Sequence, residues 1–256
     1  MNFLDQIIEN KKLEVNALKS RYTFKDFMEQ DLFQRETISF SKAISSDFGI
    51  IAEFKRKSPS AGNLLVETAI SEQLKNYEEN GASALSILTD SKYFGGSIED
   101  ISMNRTRTNL PILRKEFIVD EIQLFESKAC GADAVLLIAS VLDKNLAHHL
   151  TILAKSLGLE VVFEVHTVDD LSKINDEIDC ILVNNRDLKK QLCDLNTSAY
   201  FAEILPKNVC SISASGIKTR DEIDYIKTLG YSAALIGESI IRQNHLIQLT
   251  QKSIVA

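Results

Sequence analysis

Eight short apolar runs, separated by amphipathic stretches, constrain the fold of this chain more than any other feature. They read FGIIAEF from Phe48, ASALSIL from Ala82, LPILRKEF from Leu110 and ADAVLLI from Ala132. LEVVFEV from Leu159, DCILVNN from Asp179, NVCSISAS from Asn208 and SAALIG from Ser232 follow. Each is too short for a typical helix and rich in Ile, Val, Leu and Phe, the composition of a strand covered on both faces. Between them, residues 67–80, 121–130, 144–157 and 219–229 carry apolar residues at helical spacing, such as Ile70, Leu74 and Tyr77 in the first and Ile122 and Phe125 in the second. Gly81, Gly131, Gly158 and Gly230 stand where these helices should stop. Strands alternating with helices imply parallel βα units. An open doubly wound sheet would carry a G-x-G-x-x-G turn after its first strand, whereas this chain reads FKRKSPSAG. Eight units close instead into a single (β/α)8 TIM barrel.

Residues 1–47 precede the first strand. Leu4, Ile7, Ile8 and Val15 predict a helix over 3–18, and Thr23 is a candidate N-cap for a second. This segment is too small to hold a core of its own. It reads as a helical extension of one domain spanning 1–256, with the barrel over 48–256.

The composition excludes several classes. With 45% hydrophobic and 25% charged residues the chain is of ordinary globular make-up. A formal net charge of −7 argues against a nucleic-acid partner. No apolar run approaches a membrane span. The N-terminal MNFLDQIIENKK is interrupted by Asp5, Glu9 and Asn10, unlike a signal peptide. The cytoplasm is the expected compartment. Cys130, Cys180, Cys193 and Cys210 form no C-x-x-C pair and read as reduced thiols. His148, His149, His166 and His245 make no metal-binding pattern, so neither a metal nor another cofactor is expected. The expected partner is a small phosphorylated molecule. The sequence sets no oligomeric state, and a monomer is compatible with it.

In such barrels the active site lies at the C-terminal ends of the strands. Strand one ends in Glu53 and Lys55, two apart and therefore on one face. The third strand ends in Lys115, the fifth in Glu164, the sixth in Asn184, the seventh in Ser213 and Ser215. Any one of these alone is an ordinary solvated strand end. Lysines and glutamates converging on one mouth are costly unless paired or used, and can serve as acids and bases. Ser215-Gly216-Ile217 and Ile236-Gly237-Glu238-Ser239 follow strands seven and eight and precede helical stretches. Backbone N–H groups at such turns hold phosphate, and this is the usual phosphate site of the fold. Arg56 reads as support for the charge network and Lys57 as solvated.

The segments IIAEFKRKSPSAG, LTDSKYFGGSIED, PILRKEFIVD, GADAVLLI, EVVFEVH and LVNNRDL occur in this order over nearly the whole chain. In them the sequence resembles the indole-3-glycerol-phosphate synthase family. That family converts 1-(o-carboxyphenylamino)-1-deoxyribulose 5-phosphate to indole-3-glycerol phosphate, releasing carbon dioxide and water. The resemblance implies that Lys115 is the general acid at the ketone oxygen and that Glu164 serves the dehydration. Glu53 and Lys55 would position and charge-balance the reacting group, and Asn184 would hold a substrate hydroxyl. Ser58, Ser215, Gly216, Gly237 and the backbone of Glu238 would contact the phosphate, with Arg186 a further substrate contact. Phe94 and Phe117 would line the slot for the anthranilate ring, although an aromatic after a strand is more often plain packing.

One position departs from the family, which usually reads Ser-Glu-Ser-Gly after strand seven; here the residues are Ser213-Ala214-Ser215-Gly216. An active synthase is expected. The alternatives are a non-catalytic or weakly active phosphate-binding barrel and another sugar-phosphate barrel enzyme, such as an isomerase.

Overall fold

A computed structural model of the protein describes residues 3–59, 62–64, 69–187 and 192–243. Eight parallel strands form a closed barrel: β1 (Gly49–Phe54), β2 (Ala84–Leu88), β3 (Ile112–Lys115), β4 (Ala134–Ile138), β5 (Glu160–Val165), β6 (Cys180–Asn184), β7 (Cys210–Ala214) and β8 (Ala233–Ile236). Each strand pairs with its sequence neighbours, and β1 closes the ring against β8, with Ile51 opposite Leu235 and Ala52 opposite Ile236. Every predicted run holds one strand.

Alternation along the strands divides the core into two layers. Ile51, Leu113, Leu136, Val162, Leu182, Ile212 and Leu235 fill the lumen. Ala52, Ile87, Val135, Phe163, Ile181 and Ala234 face outward and pack beneath the surrounding helices. The lumen is closed at the N-terminal ends of the strands by Phe40 and Ile44 of a short helix, Phe40–Ser45, both fully buried. This plug lies so close to β1 that a Cβ at Gly49 would sit 2.8 Å from the Ile44 Cα. The open, polar end is therefore the other one.

The predicted helices form with shifted ends: Ile70–Glu79, Ile122–Ala129, Lys144–Ser156 and Arg220–Thr228. The start predicted at Glu67 lies outside the described residues. Gly81, Gly131, Gly158 and Gly230 all adopt positive φ, as helix-stopping glycines should. Two differences stand out. A 3-10 segment, Val168–Lys173, for which no helix was predicted, forms after β5. A helix not foreseen, Asn196–Ile204, follows β6; its polar NTSAYF start hides an apolar stripe, and it buries Ser198 with Phe201.

In the extension, α1 (Phe3–Arg21) buries Ile7, Lys11 and Val15. Thr23 forms a capping box with Asp26 at the start of α2 (Phe24–Met28). Val15, Phe27 and Phe33 pack with Ile122 and Ala129, so the extension lies along the barrel's flank.

Candidate active site

A cavity of about 730 Å³ opens at the C-terminal ends of the strands, within the size range of small-molecule sites. Glu53, Lys55, Ser58, Phe94, Lys115, Phe117, Glu164, Asn184, Arg186, Ser215, Gly216, Gly237 and Glu238 all line it. The strand periodicity that pointed Glu53 and Lys55 to one face is the reason they meet here.

Glu164 is the centre of the polar set. Its Oε2 accepts a hydrogen bond from Lys115 Nζ at 3.1 Å, and its Oε1 accepts one from Asn184 Nδ2, also at 3.1 Å. Glu164 is almost fully buried and Lys115 is only 18% exposed. Burial works against the charge on both groups, and for both the surroundings outweigh it. Glu164 and Glu53 hold the Lys115 ammonium above the usual lysine range. Lys115 and His166, with the Asn184 hydrogen bond, hold the Glu164 carboxyl below the usual carboxylate range. The mouth thus presents a protonated amine and an ionised carboxylate, a donor and an acceptor of protons in contact.

Across the mouth Lys55 pairs with Glu53 through Nζ and Oε1. This pair lies directly under the turn after β8. A Cβ at Gly237 would come within 2.7 Å of Glu53 Oε1 and 3.1 Å of Lys55 Nζ. A side chain at this position would have to push the ends of that charged pair aside. The turn after β7 is built around two left-handed residues, Ser215 at φ 71° and Gly216 at φ 81°. Ser239 Oγ donates to the Ile217 carbonyl at 3.1 Å and ties the two turns together. Their backbone amides, with Ser58 nearby on the cavity wall, provide a place for an anion. At the opposite side Phe94 and Phe117 lie with ring centroids 6.1 Å apart, and Leu88, Leu136 and Ile138 extend this apolar wall.

Three sequence expectations need correction. Ser213 does not face the mouth: strand alternation turns it outward, where its Oγ accepts from Asn185 Nδ2 at 3.0 Å and meets Ser198 Oγ at 2.7 Å. Arg56 does not join the lysine–glutamate set. It binds Asp100 and donates to the Gly95 carbonyl at 3.1 Å, and so steadies the segment that carries Phe94. Lys57 is half-buried in a short antiparallel pairing with Asn63 rather than solvated.

The sequence reading missed other residues. Asn185 donates to the Ser215 carbonyl at 3.1 Å and fixes the β7 turn from beneath; the second Asn of LVNNRDL is its only sequence signal. Glu116 is buried beside the cavity, bound by Thr89 Oγ1 at 2.8 Å and by Lys11 Nζ at 2.9 Å. Phe3, Leu4 and Ile7 of α1, together with His166 and Lys218, also reach the cavity wall.

The sequence model of the indole-3-glycerol phosphate synthase family matches residues 4–252. The chain is 42% identical over 242 residues to an indole-3-glycerol phosphate synthase of Bacteroides thetaiotaomicron, covering 94% of this chain and 93% of that protein. It is 38% identical over 248 residues to a protein of the same name from Petrotoga mobilis, covering 94% and 92%. Among solved structures, a mutant tryptophan synthase alpha-subunit from Pyrococcus furiosus superposes with a TM-score of 0.61 at 14% identity, covering 79% of this chain and 96% of that one. That last likeness concerns the barrel fold alone.

Proposed function

The chain belongs to the indole-3-glycerol phosphate synthase family, and on that premise we propose how its barrel mouth carries out the family's reaction. The enzyme closes the indole ring of 1-(o-carboxyphenylamino)-1-deoxyribulose 5-phosphate and releases carbon dioxide and water. The phosphate sits against the backbone amides of the Ser215-Gly216 and Gly237-Glu238 turns, with Ser58 at its side and Arg186 as a further contact. The anthranilate ring lies between Phe94 and Phe117. This places the ketone carbon and the ring carbon over the charged floor of the mouth.

The Lys115 ammonium donates a proton to the ketone oxygen as the ring carbon attacks. Lys55 faces the substrate carboxylate, held by Glu53. The apolar wall favours loss of that carboxylate as carbon dioxide, because a spread charge is easier to desolvate than a localised one. Glu164 then accepts a proton in the dehydration, while a protonated lysine supplies the one that leaves with water. Starting from an ionised carboxylate, the whole conversion takes up one proton, which returns the lysine to its charged form. Asn184 orients Glu164 and a substrate hydroxyl together. One chain supplies every group in this scheme, so a monomer suffices.

The observation that carries the assignment is the buried Lys115–Glu164 contact at the mouth. Its test is Lys115→Ala. Removing a general acid costs about 100-fold or more, so kcat should fall by at least that much in a protein with an unchanged circular dichroism spectrum. Near wild-type kcat in the folded variant would remove Lys115 from the role.

A further inference from the structure

His166 stands one strand-face position beyond Glu164, and the reaction scheme leaves it unused. Its side chain is 8% exposed and lines the cavity. Neither ring nitrogen has a hydrogen-bond partner among the described residues. Nε2 nevertheless lies 3.2 Å from Glu164 Oε1, close enough to bond but off the required line. The ring is placed there by its backbone: the amides of His166 and Thr167 both donate to Asp170 Oδ2 at 2.9 Å. A buried imidazole with two idle nitrogens is costly, and side chains in that situation usually have a use that the resting state does not show.

Glu164 has the complementary need. At rest Lys115 and Asn184 hold it. When Lys115 turns to the substrate oxygen, the carboxylate keeps Asn184 and loses its charged partner. We propose that His166 is a positioning residue for Glu164: its Nε2–H takes over a Glu164 oxygen as Lys115 engages the substrate, and keeps that carboxylate aimed at the proton it must accept. A small rotation of either side chain aligns the bond. No new group enters and no proton changes owner at this step. The proposal rests on the assignment of Glu164 to the dehydration.

The test uses the full chain in two independent ways. In steady-state kinetics, His166→Leu should lower kcat about tenfold or more with KM within about twofold, the size expected for a lost hydrogen bond to a charged group. His166→Gln, whose amide nitrogen can replace Nε2, should recover most of that loss. In a Glu164→Gln background His166→Leu should cost little further, because the two residues act as one unit. Equal impairment by Leu and Gln, or losses that multiply independently, would overturn the proposal.

The second measurement needs no turnover. The His166 Nε2–H proton is followed by NMR in wild type, in Lys115→Met and in Lys115→Met with Glu164→Gln. Lys115→Met takes away the resting partner of Glu164, so the proton should move downfield as the charge-assisted bond forms, and adding Glu164→Gln should abolish that move. An unmoved proton in Lys115→Met overturns the proposal even if wild type is active. A wild-type protein that fails to turn over would instead strike the reaction assignment, and the Nε2–H signal would still decide the contact.

Discussion

Lys115 and Glu164 face each other as buried opposite charges, and this fixes the sign of their pH dependence. Glu164 titrates below its ordinary 4.5 in the folded protein. Its contribution to stability is therefore complete above that value and lost as pH falls through the folded-state one. Lys115 titrates above its ordinary 10.5, so its contribution is complete below 10.5 and is lost only at higher pH. Glu164→Gln should consequently lower Tm at pH 7, by roughly 4 °C or more for loss of one partner in a buried pair. The gap to wild type should close as pH drops below 4.5, and thermal melts of both proteins across that range check it. A gap that persists at low pH would mean that Glu164 stabilises the fold by packing rather than by charge.

Ala214 is the second residue with a clear consequence. It lies in the lumen wall beside Asn184 and Leu235 and lines the cavity that holds both lysines. A carboxylate there has room to point into the mouth and a cation to meet. Ala214→Glu should raise kcat/KM about tenfold, the effect of one added charge-assisted hydrogen bond. Steady-state kinetics at one pH decide it; an unchanged or lower value in a folded variant would mean that the network is complete without this carboxylate. Strand periodicity makes such mouth-facing residues legible, because alternate positions beyond an apolar run must share a face. The same rule misplaced Ser213, which lies one residue out of phase with Ala214. Glu116 and Asn185 were not legible for a different reason: their partners come from distant elements, and no local pattern records a tertiary contact. His166 shares the face of Glu164 two residues earlier, so alternation alone places it at the mouth.

At the scale of elements, the chief surprise is α1. Its apolar spacing predicted a helix, but not that the helix reaches the cavity. Lys11 explains how it is held. This lysine is buried and forms ion pairs with Glu14 at 2.5 Å, Glu116 at 2.9 Å and Asp90 at 3.1 Å. Burial opposes its charge, and Glu116 and Asp90 outweigh that opposition. Glu116 is in turn 3.9 Å from Arg114, which binds Glu126 at 2.6 Å, so the cluster links α1 to β3 and to the helix Ile122–Ala129. Replacing Lys11 by Met would take a shared cation from two buried carboxylates, a loss of about 3 kcal/mol or more. Hydrogen exchange along α1 should accelerate while the barrel strands stay protected. KM should rise, because Phe3, Leu4 and Ile7 form part of the cavity wall. Exchange in α1 at the wild-type rate would show that its apolar face alone holds it.

For the molecule as a whole, the closed barrel was legible because eight units of one kind admit few arrangements. The runs fixed strand number and parallel order, and the glycines fixed where helices stop. The deviations are confined to connections: the 3-10 segment Val168–Lys173 and the helix Asn196–Ile204 carry weak apolar patterns, and packing against the barrel decides their form. In the proposed scheme the reacting groups come from the ends of β1, β3, β5 and β6 and the anion site from the turns after β7 and β8. This mouth, with alanine at position 214, is a working catalyst. The most direct measurement is single-enzyme turnover of 1-(o-carboxyphenylamino)-1-deoxyribulose 5-phosphate, following indole fluorescence and released carbon dioxide together. Turnover should be saturable, with one carbon dioxide for each indole-3-glycerol phosphate formed. Saturable binding of the same compound with neither product appearing would contradict it.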